Sequence, residues 1–342
     1  MHLRGSRKSS IERTGRRWWF STLGILALGS VTLGSAACSE VPGPGARAPD
    51  EAPLSKRLEP SDLMPADLDV VVRLDLERMK QGLGAEPQAQ VASRVATDPL
   101  VSKALVDARR VTLGLRASDL AHGDHVVVVE TDVAKLEIPD DFESVPSRND
   151  TVKILVRSVG VARTETQAIV ILDDRAIAFV SPVETDSVLR VLREGADEER
   201  GDPAREGLVS LDVRTHRLDP ALERKFPSIS RLVRDLRRIR GVAEVREDGL
   251  GFDVEIVAKS AEAADRAARF LEALRAGAKG DGAAGAFASM RIDPLDARVR
   301  VRLTVPAAVV LGAIRDEADP SAGLHAPEVE GTTNVTLPEV AP

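Results

Sequence analysis

The segment from Arg16 to Cys38 constrains this chain most, because it determines on which side of a membrane the rest must fold. Residues 1–37 contain six basic residues and one acidic residue. The stretch from Trp18 to Ala37 has no charged residue, and it ends in small residues at 34–37. A basic region, an apolar stretch and a small-residue cleavage site together predict a secretory signal peptide. We therefore expect the body of the chain to lie outside the cytoplasm.

Cys38 is the only cysteine, and it stands where a signal peptidase would cut. Residues 1–40 resemble the signal of a bacterial lipoprotein, although Ser35 occupies the position where that pattern usually has leucine. The resemblance implies lipidation of the Cys38 thiol and membrane attachment through it. Because Ser39 rather than aspartate follows the cysteine, it also implies the outer membrane, with the body facing the periplasm.

Two other interpretations of this segment stay open. An uncleaved apolar stretch of about 20 residues is long enough to span a bilayer, and the basic residues before it would keep the N-terminus in the cytoplasm. Cleavage without lipidation would release the body as an exported protein. Arg16-Arg17 also resembles a twin-arginine signal, so the export route is open as well.

Composition limits the partners. The formal net charge is −7, and removal of residues 1–37 makes the remainder more acidic. An acidic body disfavours nucleic acid as a partner. Both tryptophans lie in the signal segment and there is no tyrosine, so the stacking platforms that sugars and bases use are missing. With a single cysteine, the body has no intramolecular disulfide.

Breaks in apolar periodicity predict six segments. In chain order they are a signal peptide (1–37), a Pro/Gly/Ala-rich tether (38–60), a first α+β half (61–195), a charged linker (196–207), a second α+β half (208–316) and a disordered tail (317–342).

The two halves show a similar order of predicted elements. Residues 68–76 alternate apolar and polar side chains, which predicts a half-buried strand. Leu-Asp-Val at 211–213 repeats the Leu-Asp-Leu at 74–76. We predict an α+β fold of two similar halves, each β-α-ββ-α-ββ-α, with an antiparallel-rich sheet and helices on one face. This order indicates an internal duplication of 68–194 in 208–316.

Histidines offer weak metal candidates. His122, Asp124 and His125 lie together and are chemically suitable ligands. Glycine and aspartate are also expected at a hairpin turn, and neighbouring ligands from one turn cannot complete a tetrahedral zinc site alone. The turn is therefore the favoured interpretation. His216 follows the strand that opens the second half, and we expect it to be a solvated strand-end residue.

Two further segments resemble functional motifs. Gly-Asp-Gly-Ala-Ala-Gly at 280–285 matches the spacing of a dinucleotide fingerprint, but that motif needs a strand before it and a helix after it. We expect the reverse order here, a helix before and a strand from Phe287, and therefore an ordinary loop. A basic helix is predicted over 219–240, with Arg231, Arg234 and Arg238 on its outward face. That face would meet an anionic surface or pair with neighbouring carboxylates.

These features favour a bacterial envelope lipoprotein whose body is a non-catalytic binding or structural module. An envelope protein is a second expected partner beside the membrane, and no cofactor is expected. The alternative is a carrier of lipid or another apolar ligand, with a cavity between sheet and helices. A hydrolase is less favoured, because no Gly-x-Ser-x-Gly motif or nucleophile–base spacing stands out.

Overall fold

The computed structural model describes most of the two predicted halves. The described residues are 58–86, 89–90, 99–116, 125–147, 150–159, 165–195, 207–215, 233–278 and 283–316. The predicted signal peptide and disordered tail lie outside them, as does all of the tether before Leu58.

Within these ranges, twelve strands form one antiparallel sheet, which confirms the α+β class. The strands are β1 (Val70–Asp75), β2 (Arg110–Leu115), β3 (His125–Glu130), β4 (Glu143–Val145), β5 (Val152–Val159), β6 (Glu165–Leu172), β7 (Ala176–Val180), β8 (Val209–Arg214), β9 (Leu236–Arg246), β10 (Gly249–Ala258), β11 (Arg291–Leu295) and β12 (Arg298–Val305). Their order across the sheet is β11-β12-β10-β9-β8-β1-β2-β3-β7-β6-β5-β4.

Helices connect several of the strands. They are α1 (Leu76–Leu83), α2 (Pro99–Val106), α3 (Thr185–Glu194), α4 (Ala261–Gly277), α5 (Ala283–Ala288) and α6 (Ala307–Asp316). Local sequence sets their ends: the Asp75 side chain accepts a hydrogen bond from the Arg78 amide at 2.9 Å, and Ser260 accepts one from the Ala263 amide at 3.2 Å. None of the described helices is long and apolar enough to cross a bilayer.

Helices cover both faces of the sheet. On one side, here called face A, α1 and α2 pack over the β1–β7 part and α4 packs over β10, β11 and β12. On the other side, face B, α3 and the 3₁₀ turn Pro60–Leu63 cover the β3–β7 part. In the second part of the sheet, α4 lies on face A. The expectation that each half has helices on one face is therefore wrong for the first half. Its physical reason is that β3, β6 and β7 carry apolar side chains on both sides, so both must be shielded from water.

The β1–β8 pair joins the two parts of the sheet, with Arg73 directly opposite Ser210. From this junction the order outward is β1-β2-β3-β7-β6 on one side and β8-β9-β10-β12-β11 on the other. Each side has an opening strand followed by two hairpins. In the outer hairpin, the strand that comes later in the chain lies nearer the junction: β7 pairs with β3, and β12 pairs with β10. Strands β5 and β4 extend the first side only.

The predicted helix over 219–240 is wrong from Leu236 onward, where β9 begins. A β-bulge explains the misleading pattern. Leu236 pairs with Ala258 and Arg238 with Val257, so Arg237 is an extra residue in the ladder. The bulge places Leu236 and Ile239 on the same face although they are three residues apart, and that spacing imitates a helix.

Candidate functional site

Face B of the second part of the sheet carries a dense set of arginines. In β12, Val299 and Val301 point to face A and are buried, whereas Arg298, Arg300 and Arg302 alternate with them and are exposed. We call face B of strands β8 to β12 the basic face. Among the paired strand residues that point to this face, eight are arginines and five are carboxylates. They are Arg214, Arg238, Arg240, Arg246, Arg291, Arg298, Arg300, Arg302, Asp212, Glu244, Asp253, Glu255 and Asp293. None of the described helices packs against it.

Cross-strand ion pairs order part of this face. The shortest N–O contact between Arg302 and Asp293 is 2.6 Å, and that between Arg298 and Glu255 is 3.1 Å. Arg300 donates to Asp253 at 3.0 Å, and this hydrogen bond lowers the pKa of the Asp253 carboxyl. These side chains are well exposed, so water and salt screen each pair and its contribution to stability is small.

A buried ion pair lies at the inner border of the basic face. Asp212 on β8 is only 2% exposed, and its Oδ1 accepts a hydrogen bond from Arg238 Nε at 2.6 Å. That hydrogen bond raises the pKa of Arg238 above its ordinary value, although partial burial opposes the shift. The pair holds the Arg238 guanidinium at the edge of a pocket, which is described next.

The basic face contains a concave, open pocket of about 450 Å³, here called the arginine pocket. Its lining residues are Arg214, Arg237, Arg238, Arg240, Glu255, Val257 and Arg298. Among the described residues, no carboxylate lies within ion-pair distance of the guanidinium of Arg237, Arg240 or Arg246. A guanidinium presents a planar fork of N–H donors that matches carboxylate and phosphate oxygens. The pocket can therefore bind an anion.

A second charged cluster lies on the first part of the sheet. Glu184 is fully buried and accepts hydrogen bonds from Arg116, one of them 3.0 Å long. Arg116 also donates to Asp67 at 2.7 Å. The bond to Glu184 raises the pKa of Arg116, although burial opposes it. Burial alone would raise the pKa of Asp67, but its hydrogen bond to Arg116 and that residue's charge lower it. These partners satisfy one another, which indicates a structural role.

Most residues singled out in the sequence lie outside the described part. These are Cys38, His122, Asp124, His216 and Arg231. His125 opens β3, where its amide donates to Ser181 Oγ at 3.1 Å. In the described ranges, no group of three or more His, Cys, Asp or Glu residues is placed to hold a metal ion. His122 and Asp124 lie outside these ranges, so the preference for a turn over a metal site at 122–125 stays a prediction.

Arg234 and Arg238 do not share a helix face. Arg234 is exposed and helical, two residues before β9 begins, whereas Arg238 lies on β9 itself. Sequence reasoning missed Arg298, Arg300 and Arg302. The strict Arg-Val alternation at 298–302 was the available signal, because it predicts a strand with one apolar and one cationic face.

The motif at 280–285 follows one helix and its second half belongs to another. Helix α4 ends at Gly277, and α5 begins at Ala283, within the motif. The expected strand from Phe287 is therefore wrong, and β11 begins only at Arg291. The element before the motif is a helix rather than a strand, so the dinucleotide fingerprint lacks its structural context.

Comparison with known proteins gave structural neighbours only. No family model matches the chain, and no curated protein matches it. Crystal form I of TP0453 aligns over 76% of this chain and 97% of that chain, at 10% identity and a TM-score of 0.45. Crystal form III aligns at 10% identity with a TM-score of 0.42, covering 76% and 98%. Crystal form IV gives 10% identity and 0.44, covering 75% and 96%.

Proposed function

We propose that this chain is a lipid-anchored protein of the bacterial cell envelope whose body is a non-catalytic binding module. The observation that supports binding is the basic face. A large exposed sheet surface carries alternating arginines, whereas face A of the same strands is packed under α4. Arginine is the side chain best suited to recognise anionic groups at a surface.

The anchor rests on the sequence. Cys38 follows an apolar stretch and small residues, as in lipoprotein signals. Ser39 supports the outer membrane as the destination, so the body would face the periplasm.

Labelling with palmitate tests the anchor. We expect label in the full-length wild type and none in Cys38→Ala, because Cys38 supplies the only thiol. Ser39→Ala is the matched control: it changes a neighbouring residue and keeps the thiol, so it should label like the wild type. Equal labelling of wild type and Cys38→Ala would exclude the lipoprotein interpretation.

We also propose that the sheet arose by duplication of one unit. The matched strand orders on the two sides of the β1–β8 junction support this. The segments 71–76 (Val-Val-Arg-Leu-Asp-Leu) and 208–213 (Leu-Val-Ser-Leu-Asp-Val) then correspond residue by residue. In this correspondence Arg73 matches Ser210, and the two residues also lie directly opposite each other in the β1–β8 ladder. A twofold axis between them therefore maps each segment onto the other.

A repeated buried ion pair supports the same correspondence. Asp75 and Asp212 hold equivalent positions in the two segments, and both are nearly fully buried on face B. Asp75 accepts a hydrogen bond from Arg110 on β2 at 3.2 Å, and Asp212 accepts one from Arg238 on β9. In each half, therefore, an aspartate on the opening strand pairs with an arginine on the next strand.

The carrier alternative has no support from the arginine pocket. A carrier needs an apolar cavity, whereas five of the seven residues lining this pocket are arginines. That alternative stays a prediction from the sequence, as does the less favoured hydrolase.

A further inference from the structure

We propose that the basic face docks on an anionic lipid bilayer and that the arginine pocket receives a phosphate-bearing lipid headgroup. This inference rests on the proposed envelope location and names the surface that the body binds there. Three observations carry it: the local excess of arginine, the guanidiniums that have no ion-pair partner in the described part of the chain, and the side of the sheet from which the chain leads toward Cys38.

Charge is the first observation. The whole chain has a net charge of −7, so its average field repels an anionic membrane. On the basic face, eight arginines stand against five carboxylates, so the sign is locally reversed. Such a face can orient an otherwise acidic body, because its arginines are attracted to negative headgroups.

The second observation is that several arginines remain available. Arg237, Arg240 and Arg246 are exposed and have no carboxylate at ion-pair distance among the described residues. Arg237 and Arg240 line the arginine pocket beside the fixed guanidinium of Arg238. The open shape of the pocket suits a headgroup that approaches from a flat surface.

The third observation is the path of the chain. Leu58 packs in the apolar cluster on face B, and its carbonyl accepts a hydrogen bond from Arg175 at 3.0 Å. The segment from Cys38 to Leu58 can span at most about 65–70 Å when extended, at roughly 3.3–3.6 Å per residue. A bilayer that holds the Cys38 anchor is therefore within reach of the face on which Leu58 lies.

Co-sedimentation with vesicles tests the docking surface. The protein is the unlipidated chain 39–342, which retains all three described apolar clusters because their residues lie between 58 and 310. We expect binding to vesicles of phosphatidylglycerol and phosphatidylcholine, little binding to phosphatidylcholine alone, and weaker binding as salt rises, since salt screens the attraction.

The informative variant is Arg237→Gln/Arg240→Gln/Arg246→Gln. Each arginine near an anionic surface strengthens binding, so the triple change should weaken it on the order of a hundredfold at low salt. Arg237→Lys/Arg240→Lys/Arg246→Lys should keep most of the binding, because the charge is retained. Unchanged thermal unfolding of the glutamine variant would show that the loss comes from the surface.

A matched control removes the same charge elsewhere. Arg109, Arg266 and Arg269 are exposed and lie outside the basic face, the last two on α4 over face A. Their triple glutamine variant should bind vesicles like the wild type. An equal loss in this control, or no loss in the test variant, would overturn the proposal. Binding of pyrophosphate in calorimetry without vesicle binding would also overturn it, in favour of a soluble anion. Palmitate labelling is independent of all these outcomes.

Discussion

Three buried carboxylates are each held by an arginine. Glu184, Asp75 and Asp212 are almost inaccessible to water, and each accepts hydrogen bonds from a guanidinium. An ionised carboxylate without such a partner is strongly disfavoured in the interior. We therefore expect these arginine partners to stabilise the folded state, in contrast to the exposed arginines of the basic face.

Arg116→Gln tests this requirement. The substitution leaves the Glu184 carboxylate buried without its cation, and we expect it to lower the free energy of unfolding by about 3–5 kcal/mol. Urea unfolding measures the change. The control is Arg266→Gln, which breaks the exposed pair with Asp235 and should cost at most about 1 kcal/mol. A cost for Arg116→Gln as small as that of the control would contradict a structural role for the pair.

At the scale of elements, α4 shows how this chain builds a core with few aromatic residues. Ala263, Ala264, Ala267 and Ala268 form the buried stripe of the helix. Their small size lets the helix lie close to β10, β11 and β12, and the valines of β12 fill the interface. Close packing of this kind leaves no room for a longer side chain.

Ala264→Leu tests the packing of α4. Ala264 is fully buried, so the larger side chain should force the helix or its neighbours to shift and destabilise the protein by about 1–3 kcal/mol. Ala273→Leu makes the same change at an exposed position of the same helix and should stay within about 0.5 kcal/mol of the wild type. Thermal or urea unfolding compares the two. Similar costs at both positions would show that α4 is not packed as described.

At the scale of the whole molecule, the twelve-stranded sheet formed by the described residues must protect its two edges from pairing with other chains. Strand β4 has only three residues, all exposed, which makes a short edge. Strand β11, at the other edge, contains Pro294, whose ring nitrogen has no hydrogen to donate. Both edges thus carry features that disfavour strand addition, while the broad basic face stays accessible between them.

A crystal structure would test the duplication. We expect β1-β2-β3-β7-β6 to superpose on β8-β9-β10-β12-β11 with the same chain directions. Leu74 should then lie on Leu211 and Asp75 on Asp212, because these pairs follow from the register at the β1–β8 junction. A best superposition with a different residue offset, or with a different strand order, would refute the duplication.

The sequence by itself determined the fold class and most hairpins. Alternation of apolar and polar side chains is a local property, so β1, β8, β12 and the β6–β7 hairpin could be predicted from their own residues. The helix α4 was equally visible, through its alanine and leucine stripe and Gly277 as its stop. The membrane anchor is likewise a prediction that rests on residues 1–40 alone.

Only the tertiary structure decided how these elements combine. The bulge at Arg237 depends on the ladder with β10, so its three-residue spacing was mistaken for a helix. The β1–β8 pairing joins strands separated by more than a hundred residues, and no local pattern specifies it. The basic face exists because five strands in register align arginines from four of them on the side where no described helix packs. Such a surface depends on long-range pairing, which side-chain periodicity alone does not encode.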